Sequence, residues 1–179
     1  MKKIFASGLA ICLIICCCTR GDKILTIKFE GNSYEKKFAL RELNPSLPND
    51  WSGSEFLTFD LTASSTQRFF INLYDTGGMR RLRILPFQGA WVRASVPLAN
   101  FQKRNVLGHD MAAIGQRGMP GYGLGFTGFV GTINHVDSVG FLMQDPIGSP
   151  VLQIRNVRLT ENAEDSILSP VPLVDEFGQ

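Results

Sequence analysis

The sequence predicts an all-β fold, an antiparallel β-sandwich, on three observations. Short runs of alternating apolar and polar residues recur along the chain, each bounded by Gly, Asn, Asp or Pro. Beyond the amino-terminal segment no stretch of ten residues keeps a 3.6-residue apolar period, so no long amphipathic helix is available. The 179 residues, 44% hydrophobic and 19% charged, suffice for one ordinary core, which two facing sheets can share.

Residues 1–18 stand outside that core. Lys2 and Lys3 precede an apolar run, Ile4 to Ile15, that is too short to span a bilayer as a mature helix. Cys16, Cys17 and Cys18 follow where a bacterial lipobox places its acylated cysteine, with LIIC, IICC and ICCC as competing registers. The segment therefore reads as a lipoprotein signal, and a plain signal peptide with incidental cysteines is the alternative. All four cysteines, Cys12 included, lie in it, so the expected mature domain has neither a disulfide framework nor thiol chemistry. Losing Lys2 and Lys3 takes the eighteen basic residues down to sixteen, equal to the sixteen acidic ones. A nucleic-acid partner, which requires clustered basic surplus, is not expected.

Residues 19–165 are expected to form the sandwich. Ile24 to Glu30 (ILTIKFE) and Tyr34 to Leu40 (YEKKFAL) flank Gly31-Asn32 and predict a hairpin. In SEFLTFDLTA, Leu57, Phe59, Leu61 and Ala63 alternate with Thr58, Asp60 and Thr62, the pattern of a half-buried strand. Phe69, Ile71 and Leu73 repeat it before Asp75-Thr76-Gly77-Gly78 turns the chain into MRRLRILPF, where Leu82 and Ile84 face inward with arginines between them. Ala90 to Val96 alternates up to Pro97, and Val139, Phe141 and Met143 share one face of a later strand. In the last strand, VLQIRNVRLT, the apolar phase slips between Ile154 and Val157, which predicts a bulge near Arg155-Asn156. Residues 166–179 (SILSPVPLVDEFGQ) are expected to be a linker.

One segment breaks this rhythm. Gly108 to Gly131 holds eight of the eighteen glycines, so it is either a long mobile loop or a place where backbone approaches something closely. Its GYGLGFTG run does not follow a strand and open a helix as a dinucleotide fingerprint does, and no glycine precedes a Lys-Ser or Lys-Thr pair. Catalytic constellations are equally thin. His109 and His135 are the two histidines, the carboxylates show no metal-ligand spacing, and the adjacent Asp175-Glu176 pair offers no cleft. No enzymatic site, metal or cofactor is expected in the chain as it stands.

Aromatic residues point to binding instead. A sugar presents flat C–H faces ringed by hydroxyls, which suits an aromatic platform beside planar polar donors. Trp51, Trp91, Tyr74, Tyr122, Phe126 and Phe129 lie at strand beginnings or in loops, and Asn100, Gln102, Arg104, His109, Gln116 and Arg117 are donors near the Gly-rich segment. Trp51, Tyr122, Arg117, Trp91, Gln116 and His109 are therefore the candidate contacts. Trp51 and Trp91 suit equally the role of plugging the ends of the sandwich.

The succession WSGSEFLTFDL from Trp51, the Asp-Thr-Gly-Gly turn, WVRASVPLANF, the Gly-rich segment, TINHVDSVGFLMQDP and VLQIRNVRLT resembles the galactose-binding-like jelly rolls that precede the catalytic barrel of β-agarases and related bacterial hydrolases. The tail PLVDEFGQ resembles the connector into that barrel. The final strand carries Gln153 to Asn156 (QIRN) where such modules often carry an Ile-Asp pair, so a structural calcium site stays open under the resemblance without support from these residues. The resemblance implies a non-catalytic accessory module for a galactan such as agarose, exported and lipid-anchored to an envelope membrane at its periplasmic side or the cell surface. It also implies that the chain is the front of a longer hydrolase whose partner would be a catalytic barrel. The alternative is an envelope β-sandwich that binds protein and never touches sugar.

Overall fold

The computed structural model describes residues 23–102, 118–119, 122–128 and 131–169. They form two antiparallel sheets packed face to face. The narrow sheet has the order β1-β10-β3-β6-β11, with β1 Leu25–Lys28, β3 Phe56–Ala63, β6 Val92–Pro97, β10 Val151–Thr160 and β11 Ser166–Ile167. The wide sheet runs β2-β9-β4-β5-β8-β7, with β2 Ser33–Ala39, β4 Phe69–Asp75, β5 Gly78–Pro86, β7 Gly118–Met119, β8 Tyr122–Gly128 and β9 Val136–Gln144. Two single helical turns, α1 Leu40–Leu43 and α2 Ala99–Gln102, complete the described elements.

Most chain reversals pass from one sheet to the other. The pairs β1/β2, β3/β4, β6/β5 and β10/β9 each place one strand in the narrow sheet and one in the wide sheet, and they stack in the same order in both. The result is a pile of arches whose inner faces make the core. Leu57, Phe59 and Leu61 of β3 meet Phe69, Ile71 and Leu73 of β4 in one buried cluster with Leu82, Ile84, Phe141, Leu152 and Ile154. Burying each such side chain stabilises the fold by roughly 1.5–3 kcal/mol.

The expected β1/β2 hairpin is one of these arches, which corrects the pairing read from the sequence. Gly31 does turn the chain, with φ 77°, but β1 pairs with β10 and β2 with β9. The reason lies in the connection. Phe29 is fully buried and packs edge-on against Tyr34 at 6.1 Å, while its N–H donates to the Pro150 carbonyl at 2.9 Å and the Asn32 carbonyl accepts from Asp145 N–H at 2.7 Å. The turn is thus bonded to the β9/β10 connection, and a two-strand ribbon would expose Phe29.

The predicted bulge is present. Along β10 the register passes from Arg155 opposite Asp60 to Arg158 opposite Thr58, and Asn156 takes φ 56°, a left-handed conformation that Asn tolerates better than most residues. The extra residue returns Val157 to the core side, where it is buried.

Three other expectations change. Strand β3 is buried on both faces, because Thr58 and Asp60 on its outer side are also covered. The Gly-rich segment contains strand β8, paired with β5 from Arg80↔Gly128 to Pro86↔Tyr122. The chain also stays in the sandwich beyond 165, since Ser166 and Ile167 pair with Arg93 and Val92. Arg80, in phase with Leu82 and Ile84, points into the core and forms an ion pair with Asp75 across the β4/β5 turn, both side chains being at most 2% exposed. Its guanidinium also donates to the Thr132 carbonyl.

Candidate functional site

The outward phase of the wide sheet carries a connected set of polar and aromatic side chains. Strand alternation that sends Ile71 and Leu73 inward sends Phe70, Asn72 and Tyr74 outward, and on β5 it turns Arg81 and Arg83 outward. Cross-strand register aligns them in rows. One row runs Lys37, Gly140, Asn72, Arg81, Thr127, and the next runs Glu35, Leu142, Phe70, Arg83, Gly125.

A hydrogen-bonded chain links the rows. Glu35 Oε1 accepts from Asn72 Nδ2 at 2.8 Å and from the Tyr74 hydroxyl at 2.6 Å, and Asn72 Oδ1 accepts from Arg81 Nε at 2.8 Å. Asn72 is fully buried, with both ends of its amide bonded, as a buried amide requires. Glu35 reaches this position across Gly140. A Cβ there would lie 2.0 Å from Glu35 Oε1 and 3.1 Å from Tyr74 Cε2, so the absence of a side chain is what admits the carboxylate. Burial first, and then the hydrogen bond to Glu35, push the Tyr74 phenol above its ordinary pKa.

Rings and cations flank the chain. Lys37 Nζ sits 3.8 Å from the Tyr74 ring centroid, and the Arg81 guanidinium carbon lies 5.1 Å from that of Phe70. Two buried polar atoms on this face, Arg83 Nε and Ser138 Oγ, have no hydrogen-bond partner. At the next register position beyond Arg83 stands Gly125, which adds no side chain to the row.

The residues singled out from sequence are dispersed. Trp51 lies in the core with none of its surface exposed, its indole N–H donating to the Pro48 carbonyl at 2.8 Å. It plugs the sandwich and offers no ring face for stacking, which removes it as a sugar platform. Trp91 is half-buried, with the Arg155 guanidinium 4.4 Å from its ring centroid and its backbone bonded to Leu168 and Ser169. Tyr122 opens β8 opposite Pro86. His109, Gln116 and Arg117, together with Cys16, Cys17 and Cys18, lie outside the described residues, as does Arg104.

The donors expected from the sequence lie in or beside the Gly-rich segment, whereas the wide-sheet face lies on strands, with Tyr74 common to the expected aromatic set and to that face. The signal was present in RFFINLYD and MRRLR, whose outward positions hold two aromatic rings, an amide and two guanidiniums. Gly140, interrupting the apolar VGFLM run, was the second mark. Among the described residues no three of His, Cys, Asp and Glu cluster as metal ligands. No protein-family model, curated protein or solved structure matches the chain.

Proposed function

We propose that the chain is a non-catalytic carbohydrate-binding module, the exported and lipid-anchored accessory part of an agarase-like glycoside hydrolase, and that it holds a galactan on the outer face of its wide sheet. The observation that carries this reading is the Glu35–Asn72–Arg81 chain set between the Tyr74 and Phe70 rings. The buried Asn72 amide, fully bonded itself, holds the Glu35 carboxylate and the Arg81 guanidinium in place as the groups offered to sugar hydroxyls, beside ring surface for a pyranose C–H face. Across the two rows Glu35 is the single carboxylate, whereas hydrolysis needs two, roughly 5–9.5 Å apart on either side of the scissile bond. Cys16 to Cys18 and the PLVDEFGQ tail support the anchor and the attachment to a barrel.

Affinity electrophoresis tests the reading, with neutral agarose embedded in one gel and a sulfated galactan in another. Wild-type protein should be retarded in at least one, and Asn72→Ala and Tyr74→Ala, checked for unchanged secondary structure by circular dichroism, should lose most of that retardation. Free migration of the wild type in both gels would sink the proposal. A second reading, a protein-binding envelope sandwich, draws on exposed Phe87, at 50%, and on Ile167 and Leu168, which sit on the connection into β6 and on the strand beside it. That reading predicts no retardation by any polysaccharide.

A further inference from the structure

Resting on the galactan reading, we infer that the polymer this face selects is an anionic one, a sulfated galactan, with Arg83 as the sulfate-binding residue. The two rows hold three cations, Lys37, Arg81 and Arg83, against one carboxylate, Glu35. That carboxylate is already occupied, since it accepts from Tyr74 and Asn72 and reaches Arg81 through the Asn72 amide. Lys37 is engaged with the Tyr74 ring. Arg83 differs from both neighbouring cations. Among the described residues its guanidinium makes no hydrogen bond, ion pair or ring contact, so its outer N–H groups are held by no other side chain there.

The surroundings of Arg83 fit an oxyanion of a polymer lying on the sheet. Phe70 stands beside it on one strand and Gly125 on the other, so one flank is a ring and the other is bare backbone. A guanidinium presents a planar fork of donors that bonds two oxygens of a sulfate at once. Arg81, two residues away on the same face of β5, is about 6.7 Å along the strand, close enough to add to the field at the same group. Galactose itself is uncharged, so an anionic galactan carries its charge on a substituent, and a sulfate ester presents the paired oxygens that a guanidinium fork bonds.

The test compares two galactans in affinity gels, neutral agarose and a sulfated galactan, using the full chain. Retardation by the sulfated polymer should exceed that by agarose, and should fall several-fold between about 50 and 300 mM NaCl as charges are screened. Arg83→Gln should weaken retention by the sulfated polymer roughly five- to tenfold, the loss of one charge-assisted contact, while leaving retention by agarose within about twofold. Arg83→Lys, which keeps the charge and loses the fork, should recover part of it. Equal or greater retention by agarose, or an equal loss of both polymers in Arg83→Gln, overturns the sulfate assignment and leaves the galactan reading standing. No retention by either polymer overturns both.

Discussion

The outer faces of the two sheets come from the same alternation and end in opposite states. On the narrow sheet Asp60 accepts from Arg93 at 2.7 Å and 3.3 Å and lies 3.6 Å from Arg155. Glu164 adds ion pairs to Arg93 and Arg158. Thr58 bonds both Ser95 and Thr160, and the chain then folds back so that Glu164 N–H donates to Ser95 Oγ while Ser95 N–H donates to Asp165. Three arginines face three acids under the protein's own strap, residues 161–169. No such strap crosses the rows of the wide sheet among the described residues, and there three cations face one acid. Polar groups on the narrow face are met by the chain that folds back over them, whereas Glu35, Asn72, Tyr74 and Arg81 on the wide face are met by one another across the strands.

The contrast breaks first at Asp60. Its side chain is 3% exposed while its two arginines are a quarter to a third exposed, so Asp60→Ala should cost about 2–4 kcal/mol, near the lower end of what breaking a buried pair costs. Glu35→Ala, on the open face, should cost less, about 1–2 kcal/mol, because its carboxylate is exposed but its loss leaves one donor of the buried Asn72 amide unpaired. Urea denaturation followed by tryptophan fluorescence measures both. A Glu35→Ala cost equal to that of Asp60→Ala would mean that the two faces are equally structural.

Gly140 sharpens the comparison at intermediate size. A methyl at that position collides with Glu35 Oε1 at 2.0 Å and crowds Tyr74 at 3.1 Å, so Gly140→Ala should destabilise by about 1–2 kcal/mol as overpacking displaces the carboxylate. In a Glu35→Ala background the main obstacle is gone, and the cost should fall by at least about 0.5 kcal/mol, the signature of coupled neighbours. Additive costs would mean that Glu35 does not lie over Gly140 in solution.

How much of this was legible in the sequence follows from what alternation reports. It reports which residues share a face, and it does so for β3, β4, β5 and β9 and for the phase slip that became the Asn156 bulge. It does not say what covers a face, so Thr58 and Asp60 read as solvent-facing although both are buried, Thr58 bonded to Ser95 and Thr160 and Asp60 paired with Arg93 and Arg155. Nor does a turn signal say which sheet the next strand joins, and Gly31 turns an arch as readily as a hairpin. Arg80 shows the limit of polarity as a guide: its strand phase sets it inward with Leu82, and its charge is met there by Asp75. The candidate face was hidden for a related reason. Its residues are scattered over β2, β4, β5 and β9, and only cross-strand register brings Glu35, Asn72, Tyr74 and Arg81 together.

The smallest expected effect tests the open face at its most local point, the Tyr74 hydroxyl. Burial is the larger cause of its raised pKa and the Glu35 hydrogen bond the next. The neutral phenol donates to the carboxylate, whereas a phenolate would face it as a like charge. Stability from this contact is therefore fully present below the ordinary tyrosine pKa of about 10 and is lost as pH rises through the higher folded value. Alkaline titration of phenolate absorbance should show one of the three tyrosines ionising late, and Tyr74→Phe should delete that component alone. Glu35→Gln should move it only part of the way back, because burial remains after the charge is gone. If Glu35→Gln leaves the late component where it was, the carboxylate is not bonded to Tyr74 in solution and the open face lacks the fixed acceptor on which sugar binding was argued.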